Sequence, residues 1–470
     1  MKSGSIARPL LVVSLFFLTI FVLSRFVLLS DSGTNPDPLF LARISALFTF
    51  PPESIKHLDE PYWMHSTYQY HLAFKQMNIS KNAWDGPSLY DQPPLGKYLL
   101  GFFLDVLGGR IVEKNGGLML WEKTACETLW LEPMRSRPDV FNLPSDRRLI
   151  AYLEHVTGSA GQEEITPLHE RDYILGRMIS FFFGLLSAIL LAFLCHLIRP
   201  GLFTAFLACE LFLLNGITVP LFQMVLVDSI SCFFILLAII SLVFAFSEKP
   251  LFPAGHEPYY TRVFAFFLSG VFIGCALSVK FTAVNIVALV SVLVVPYFIV
   301  RGGKKRHSYK MVTLMFLLVF ASVGTFLVLN PFLYSDPAGN TARMINHRLM
   351  IIQAQSRIPP FHETLETRAW RLLKWGVLLG FNMSPPVAFV YLVVFATGLG
   401  YLAKGISGEM ANGIIGVFTV VSLWMVLTYL VLGLGMSSSA IRYYVQFSMS
   451  SAIIVSIGTA EAYNSVKSFF

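Results

Sequence analysis

Long apolar runs alternate with polar segments along the chain of 470 residues. A helix needs about 20 consecutive apolar residues to cross the hydrocarbon core of a bilayer. The pattern predicts ten membrane-spanning helices, at residues 10–29, 173–198, 202–214, 221–246, 263–279, 282–300, 311–329, 386–403, 413–434 and 441–460. The first run is long and no small-residue cleavage site follows it, so we expect a retained helix rather than a signal peptide.

The composition supports this interpretation. Hydrophobic residues make up 55% of the chain and charged residues only 13%, against roughly 25% charged residues in soluble proteins. Cysteine is sparse, and no Cys-x-x-Cys or Cys/His spacing suggests a structural metal. The sequence therefore predicts an all-α integral membrane protein with a single transmembrane domain over residues 1–470.

The distribution of basic residues orients the predicted helices. Cytoplasmic loops of membrane proteins carry an excess of Lys and Arg. With the N-terminus in the cytoplasm, the inner side receives Lys2, Arg8, Arg199, the basic block 301–310, Lys404 and Lys467. Both termini are then cytoplasmic. The net charge of +7 is explained by this topology, and a nucleic-acid partner is not expected.

Two long loops fall on the outer face in this arrangement, at residues 30–172 and 330–385. Loops longer than about 15 residues are usually functional or disordered. Both contain Trp, Tyr and Pro at intervals, which indicates ordered structure. We therefore expect functional residues in these loops.

The first outer loop contains two acidic motifs of similar design. Asp59-Glu60 precede Pro61, and Asp91-Gln92 precede a pair of prolines. Proline suits the first turn of a helix, and carboxylates at that end face the positive pole of the helix dipole. We predict a helix after each motif, the second one over residues 95–107, lying at the outer interface because it is too short to span.

Two other interpretations of the acidic pair remain open. An isolated Asp-Glu pair is often a solvated helix cap. Alternatively, a divalent metal could bind within a cluster of carboxylates and imidazoles, although their spacing matches no strong metal rule. The members of that cluster are His57, Asp59, Glu60, His65 and His71.

Further motifs follow in the spans and outer loops. They are Asp91-Gln92-Pro93-Pro94-Leu95-Gly96-Lys97, Arg171-Asp172-Tyr173-Ile174-Leu175-Gly176-Arg177, Leu226-Val227-Asp228-Ser229, Ser278-Val279-Lys280-Phe281-Thr282, Asn330-Pro331-Phe332-Leu333-Tyr334 and Arg442-Tyr443-Tyr444. Together with Asp59-Glu60, this series resembles the protein O-mannosyltransferase and aminoarabinose-transferase group. Members of that group are GT-C fold glycosyltransferases that use polyprenyl-phosphate sugars.

The resemblance implies transfer of a sugar from a polyprenyl monophosphate to a hydroxyl-type acceptor on a protein, lipid or glycan, with inversion. A hydroxyl acceptor needs a base, and the resemblance assigns this role to Asp59, supported by Glu60. No cofactor is required, although a divalent metal remains conceivable. The expected partners are the lipid-linked sugar, the acceptor and membrane lipids.

The phosphate leaving group needs positive charge. Arg177, Lys280 and Arg442 lie at predicted outer ends of helices, where ionisable residues are candidates for function, although they could also extend to the interface. Arg348 lies in the basic second loop, where contact with anionic lipid is the alternative. The remaining residues expected to line the site are His57, Asp91, Lys97, Asp228 and Tyr334, with Asp228 pairing with one of the cations.

The chain departs from the family pattern in two respects. Gln92 stands where the family often has His, and the large soluble domain found between later spans of the eukaryotic enzymes has no counterpart. We therefore expect a compact, prokaryotic-type enzyme of the plasma membrane. Neither the sugar nor the acceptor follows from the sequence.

Two functions of other classes compete with the enzyme. A transporter or flippase of a lipid-linked sugar would favour ionisable residues at the membrane midplane, whereas here they gather near helix ends. A non-catalytic subunit of a glycan assembly complex would be favoured if the outer carboxylates and cations lay far apart.

Overall fold

A computed structural model describes residues 59–77, 93–108, 170–215, 217–222, 224–246, 258–301, 305–356, 364–381, 383–412, 414–434 and 444–469. Within these ranges all regular structure is helical, and no strand is present. The predicted all-α fold class is confirmed.

The described part of the chain forms fourteen α-helices. In chain order they are α1 (Asp59–Lys75), α2 (Leu95–Val106), α3 (Glu170–Ile198), α4 (Leu202–Leu213), α5 (Thr218–Phe222), α6 (Asp228–Phe246), α7 (Pro258–Val279), α8 (Val284–Arg301), α9 (Lys305–Val328), α10 (Pro337–Ser356), α11 (Leu365–Arg371), α12 (Pro385–Ala411), α13 (Val417–Leu427) and α14 (Val445–Phe469). Two 3-10 turns, Phe281–Ala283 and Pro331–Leu333, and two π-helical segments, Leu372–Val377 and Thr428–Leu434, complete the order.

Among the described residues, four helices are long and apolar enough to cross a membrane, namely α3, α6, α7 and α12. Shorter apolar stretches lie in α4, α9, at the start of α8 and through α13 into the π-helical segment that follows. These helices support an integral membrane protein. The count of ten spans remains a prediction, and the first predicted span, 10–29, lies outside the described residues.

The predicted span 221–246 is wrong at its start, because α6 begins only at Asp228. The Asn215 side chain caps both helices at this break. Its Nδ2 donates to the Phe212 carbonyl of α4, and its Oδ1 accepts hydrogen bonds from the backbone of Ile217 and Thr218 at the start of α5, both at 2.8 Å. The chain then forms the short helix α5 and a non-helical stretch at 224–227. Ser180 on α3 fixes this stretch by donating to the Leu226 carbonyl at 3.1 Å.

Glycines bring several helix pairs into backbone contact. A Cβ on Gly270 of α7 would lie 2.4 Å from the Leu318 carbonyl oxygen of α9. On α14, a Cβ on Gly458 would lie 1.9 Å from the Val394 carbonyl oxygen of α12. Small residues allow such close approach, which increases van der Waals contact where hydrophobic burial cannot drive helix association.

The segment predicted to form the second outer loop, 330–385, is largely helical where it is described. α10 follows the 3-10 turn Pro331–Leu333, and the Asn340 amide fastens the two by donating to the Phe332 carbonyl at 2.8 Å. Later in this loop, α11 continues directly into the first π-helical segment.

Candidate functional site

The first acidic motif lies where the sequence predicts it, at the start of a helix. α1 begins at Asp59, and Pro61 is its third residue. The side chains of Asp59 and Glu60 are not among those that the structure describes, and His57, Asp91 and Arg442 lie outside the described residues. Their roles therefore remain predictions, and the site is built below from the neighbouring residues.

Helix α2 brings three of the predicted motifs together. A Cβ added to Gly96 would lie 2.5 Å from Val227 Cγ1 and 3.4 Å from Val279 Cγ1. Val227 directly precedes Asp228, and Val279 directly precedes Lys280. The start of α2 therefore packs against the two segments that carry Asp228 and Lys280.

Helix α1 meets the same region through the start of α3. A Cβ added to Gly176 would lie 3.0 Å from Val225 Cγ2 and 3.1 Å from the sulfur of Met64. Met64 lies in the second turn of α1, and Gly176 directly precedes Arg177. The helix that begins at Asp59 is thus held beside the turn that carries Arg177.

Lys97 is fully buried between aromatic rings of α1. Its Nζ lies 5.4 Å from the centroid of the Trp63 ring and 5.1 Å from that of Tyr70, within the range of cation–π attraction. Tryptophans near membrane segments are often interfacial anchors, whereas the Trp63 side chain is buried against this cation.

Lys280 and Asp228 form a buried ion pair. Lys280 Nζ donates to Asp228 Oδ1, and only 7% of the Lys280 side chain and 6% of the Asp228 side chain are exposed. The sequence predicts a cationic partner for Asp228 without identifying it, and the structure places Lys280 there. An ammonium has three N–H donors, and the hydrogen bond to Asp228 orients the group.

Arg177 is also buried, with 1% of the residue exposed. Its guanidinium carbon lies 6.0 Å from the centroid of the Tyr173 ring, one turn earlier on α3. Burial within the protein does not fit a side chain that extends to the lipid interface. Asp172, in the same motif, is buried as well; it was not among the predicted site residues, although the motif contained it.

The second outer loop joins this region at its first residues. Asn330 donates to Ser278 Oγ at 3.0 Å, two residues before Lys280. Tyr334 is exposed, and its hydroxyl donates to the Val328 carbonyl at 2.6 Å. Burial raises the pKa of Tyr98 on α2, and the nearby Tyr334 raises it further. Tyr334 is therefore near enough to influence Tyr98 of α2, and its role in lining the site remains a prediction.

Charged side chains also join the C-terminal ends of α1 and α2. Lys75 Nζ donates to Asp105 Oδ2 at 2.9 Å, and His71 Nε2 lies 3.5 Å from the same oxygen. The hydrogen bond from Lys75, with a smaller effect of His71, lowers the pKa of Asp105. His71 thus contacts Asp105 on α2, and the described residues contain no group of three or more potential metal ligands.

Arg348, the fourth predicted phosphate ligand, lies half-buried on α10, while Arg343 on the same helix is exposed. The role of Arg348 in phosphate binding remains a prediction.

The family model described as dolichyl-phosphate-mannose-protein mannosyltransferase matches residues 149–355. The predicted resemblance to this group is confirmed. The match covers less than half of the chain, and it includes Arg177, Asp228, Lys280 and Asn330.

No curated protein matches the chain, but solved structures do. The Pmt1-Pmt2 protein O-mannosyltransferase complex of S. cerevisiae, bound to the sugar donor, is 17% identical over 67% of this chain and 33% of that chain, with a TM-score of 0.37. ArnT from Cupriavidus metallidurans, bound to undecaprenyl phosphate, is 10% identical over 90% of this chain and 59% of its own, with a TM-score of 0.49. In its apo state, ArnT is 12% identical over 91% and 60%, with a TM-score of 0.48. The chain thus spans from a third to three fifths of the length of these proteins.

Proposed function

We propose that the protein is a membrane glycosyltransferase that moves a sugar from a polyprenyl-phosphate donor to a hydroxyl acceptor. The observation that carries this proposal is that the second turn of α1 and the segments of three buried cations, Lys97, Arg177 and Lys280, pack into one cluster. Their segments are joined through the contacts of Gly96 with Val227 and Val279 and of Gly176 with Met64. The family match to a dolichyl-phosphate-mannose-dependent enzyme supports a lipid-linked donor.

Buried cations suit the leaving group of this reaction. The energy of attraction between charges rises as the effective dielectric falls, so a cation inside the protein stabilises phosphate charge more than one in water. Arg can also bind phosphate through two parallel hydrogen bonds. We infer that Arg177 and Lys280 hold the donor phosphate, with Lys97 supporting α1 next to the reacting carboxylate.

We infer a single displacement with inversion at the sugar. The acceptor oxygen forms a bond to the anomeric carbon while the bond from that carbon to the phosphate oxygen breaks. The acceptor proton passes to Asp59, and the electron pair of the broken bond leaves with the phosphate. Glu60 supports the site. This chemistry requires no bound cofactor. In the proposed topology, the site faces the outside of a prokaryotic plasma membrane and both termini lie in the cytoplasm.

A transporter is less well supported, because the buried cations lie towards helix ends: Lys97 is the third residue of α2, Arg177 is the eighth of the 29 residues of α3, and Lys280 directly follows α7. A non-catalytic subunit would be favoured if the carboxylate and cation motifs lay far apart in space. The contact of Gly96 with Val227 and Val279 argues against that separation.

We expect Asp59→Asn to abolish sugar transfer, because the amide cannot accept the acceptor proton. Removing a general base lowers rates by about 10²–10⁴-fold. Transfer from polyprenyl-phosphate sugars, beginning with dolichyl-phosphate mannose, would be measured with purified protein in lipid nanodiscs. Asp105→Asn, the same change on the neighbouring helix α2, is the matched control and should retain activity. Normal turnover by Asp59→Asn would rule out this residue as the base.

A further inference from the structure

A buried polar cluster lies outside the residues discussed so far. Asn285 on α8, Thr428 at the start of the second π-helical segment and Gln446 on α14 are all buried. Asn285 Nδ2 donates to Thr428 Oγ1 at 2.9 Å and to Gln446 Oε1 at 3.0 Å. The cluster therefore joins three elements that are far apart in the sequence.

The orientation of these amides follows from their hydrogen bonds. The Thr428 hydroxyl donates its proton to the Trp424 carbonyl at 2.8 Å, so it can only accept from Asn285. Asn285 must therefore turn its nitrogen towards Thr428, and the same nitrogen donates to the Gln446 oxygen. Both amide protons of Asn285 are used, and the oxygen of Gln446 is fixed as an acceptor.

This arrangement leaves one acceptor and one donor group unused. Asn285 Oδ1 is buried and has no hydrogen-bond partner in the described part of the protein. Among the described residues, the Gln446 side chain makes one hydrogen bond, which its oxygen accepts from Asn285. A buried polar atom without a partner is destabilising, so a ligand that donates a hydrogen bond to Asn285 Oδ1 would bind favourably.

An acceptor and a donor on two amides that are hydrogen-bonded to each other match the chemistry of a hydroxyl group, which can donate its proton and accept at its oxygen. Asn285 lies five residues after Lys280 and is the second residue of α8, with the 3-10 turn Phe281–Ala283 between them. Lys280 is a proposed phosphate ligand, and the sugar of the donor is bonded directly to that phosphate. The hydroxyl groups of this sugar are therefore the nearest candidates.

We propose that Asn285 and Gln446 recognise a hydroxyl group of the donor sugar. Asn285 Oδ1 accepts the hydroxyl proton, and Gln446 Nε2 donates to the hydroxyl oxygen. Thr428 positions Asn285 and does not touch the sugar. This inference rests on the proposed glycosyltransferase function and adds to it a site that distinguishes the sugar-bearing lipid from its sugar-free product.

The test compares binding of dolichyl-phosphate mannose with binding of sugar-free dolichyl phosphate, using the full-length protein in nanodiscs. Gln446→Met keeps the side-chain volume and removes the amide. It should weaken binding of the mannosyl lipid by about tenfold, the effect of one or two hydrogen bonds, and leave dolichyl phosphate unchanged. Ser450→Ala is the control, because Ser450 lies one turn further on α14 and its buried hydroxyl bonds only the Gln446 backbone.

Equal weakening of both lipids, or no change in either, would overturn the inference, since the amides would then hold a water molecule or only each other. If Gln446→Met fails to fold, Gln446→Glu replaces it, because a carboxylate still accepts from Asn285 but lacks the amide donor. The same selective loss is expected. If the wild-type protein binds neither lipid, the proposed function itself fails, whereas wild-type binding with an unaffected variant removes the sugar site alone.

Discussion

The buried pair of Lys280 and Asp228 is the residue-scale feature with the largest energetic consequence. Removing two charges from water costs several kcal/mol for each ion, which their attraction offsets only with good geometry. With at most 7% of either side chain exposed, water cannot replace a lost partner. The pair therefore makes each residue dependent on the other.

We expect Lys280→Met to destabilise the protein by about 3–5 kcal/mol, because it leaves the Asp228 carboxylate buried without its cation. Chemical unfolding in detergent would measure the change in the free energy of unfolding. The double variant Lys280→Met with Asp228→Asn should recover much of the stability while remaining poor in donor binding. A double variant with normal donor affinity would remove Lys280 from the phosphate site.

The residues of this region were only partly predictable from the sequence. A carboxylate and a lysine at predicted helix ends suggested a pairing for Asp228, but 52 residues separate the two partners, so spacing could not identify the lysine. The burial of Trp63 against Lys97 was missed, since a tryptophan near a membrane segment is usually an interfacial anchor. Asp172 could have been found, because it lies within a motif already recognised.

At the scale of elements, the docking of α2 depends on the absence of a side chain at Gly96. A Cβ there would lie 2.5 Å from Val227 Cγ1, closer than van der Waals contact permits. The first turn of α2 would then have to move away from Asp228 and Lys280.

Gly96→Ala should destabilise the protein by about 1–3 kcal/mol through overpacking, and it should reduce donor binding by displacing Lys97. The free energy of unfolding and the affinity for dolichyl phosphate would be measured together. Val227→Ala in the same chain removes the clashing methyl groups and should restore part of both. If Gly96→Ala alone matches the wild type in free energy of unfolding and in lipid affinity, the contact of Gly96 with Val227 does not control the position of α2.

The positions of the helices were well predicted where a long apolar run determines them. α1 and α2 begin close to their predicted positions, because proline and acidic residues signal a helix start. The break before Asp228 was missed, since the run 221–246 is mostly apolar on both sides of this residue and the Asn215 cap lies before the run. The two π-helical segments were also missed. Their stabilisation includes a distant contact, in which the Tyr429 hydroxyl donates to Ser451, and Ser451 donates to the Gly376 carbonyl.

At the scale of the whole molecule, the orientation in the membrane remains a prediction from basic residues. It places α10 outside and the end of α12 inside. The native thiols Cys195, Cys209 and Cys232 are buried, so they should react slowly with labelling reagents.

We expect Ala338→Cys on α10 to be labelled by a membrane-impermeant maleimide in intact cells. Gly408→Cys near the end of α12 should be labelled only after permeabilisation. Both positions are exposed, so accessibility should depend on the side of the membrane alone, and the wild-type chain gives the background from native cysteines. The reverse pattern would invert the topology and place the proposed site in the cytoplasm.

The ion pair also has a direction with respect to the helices that carry it. Asp228 is the first residue of α6, and Lys280 follows the last residue of α7, where its backbone N–H donates to the Ala276 carbonyl. The acid therefore faces the positive pole of one helix dipole and the base the negative pole of the other. Exchanging the two residues would keep their mutual attraction, yet it would set each charge against a pole of its own sign. The order of acid and base along this chain is thus fixed by the helix polarity.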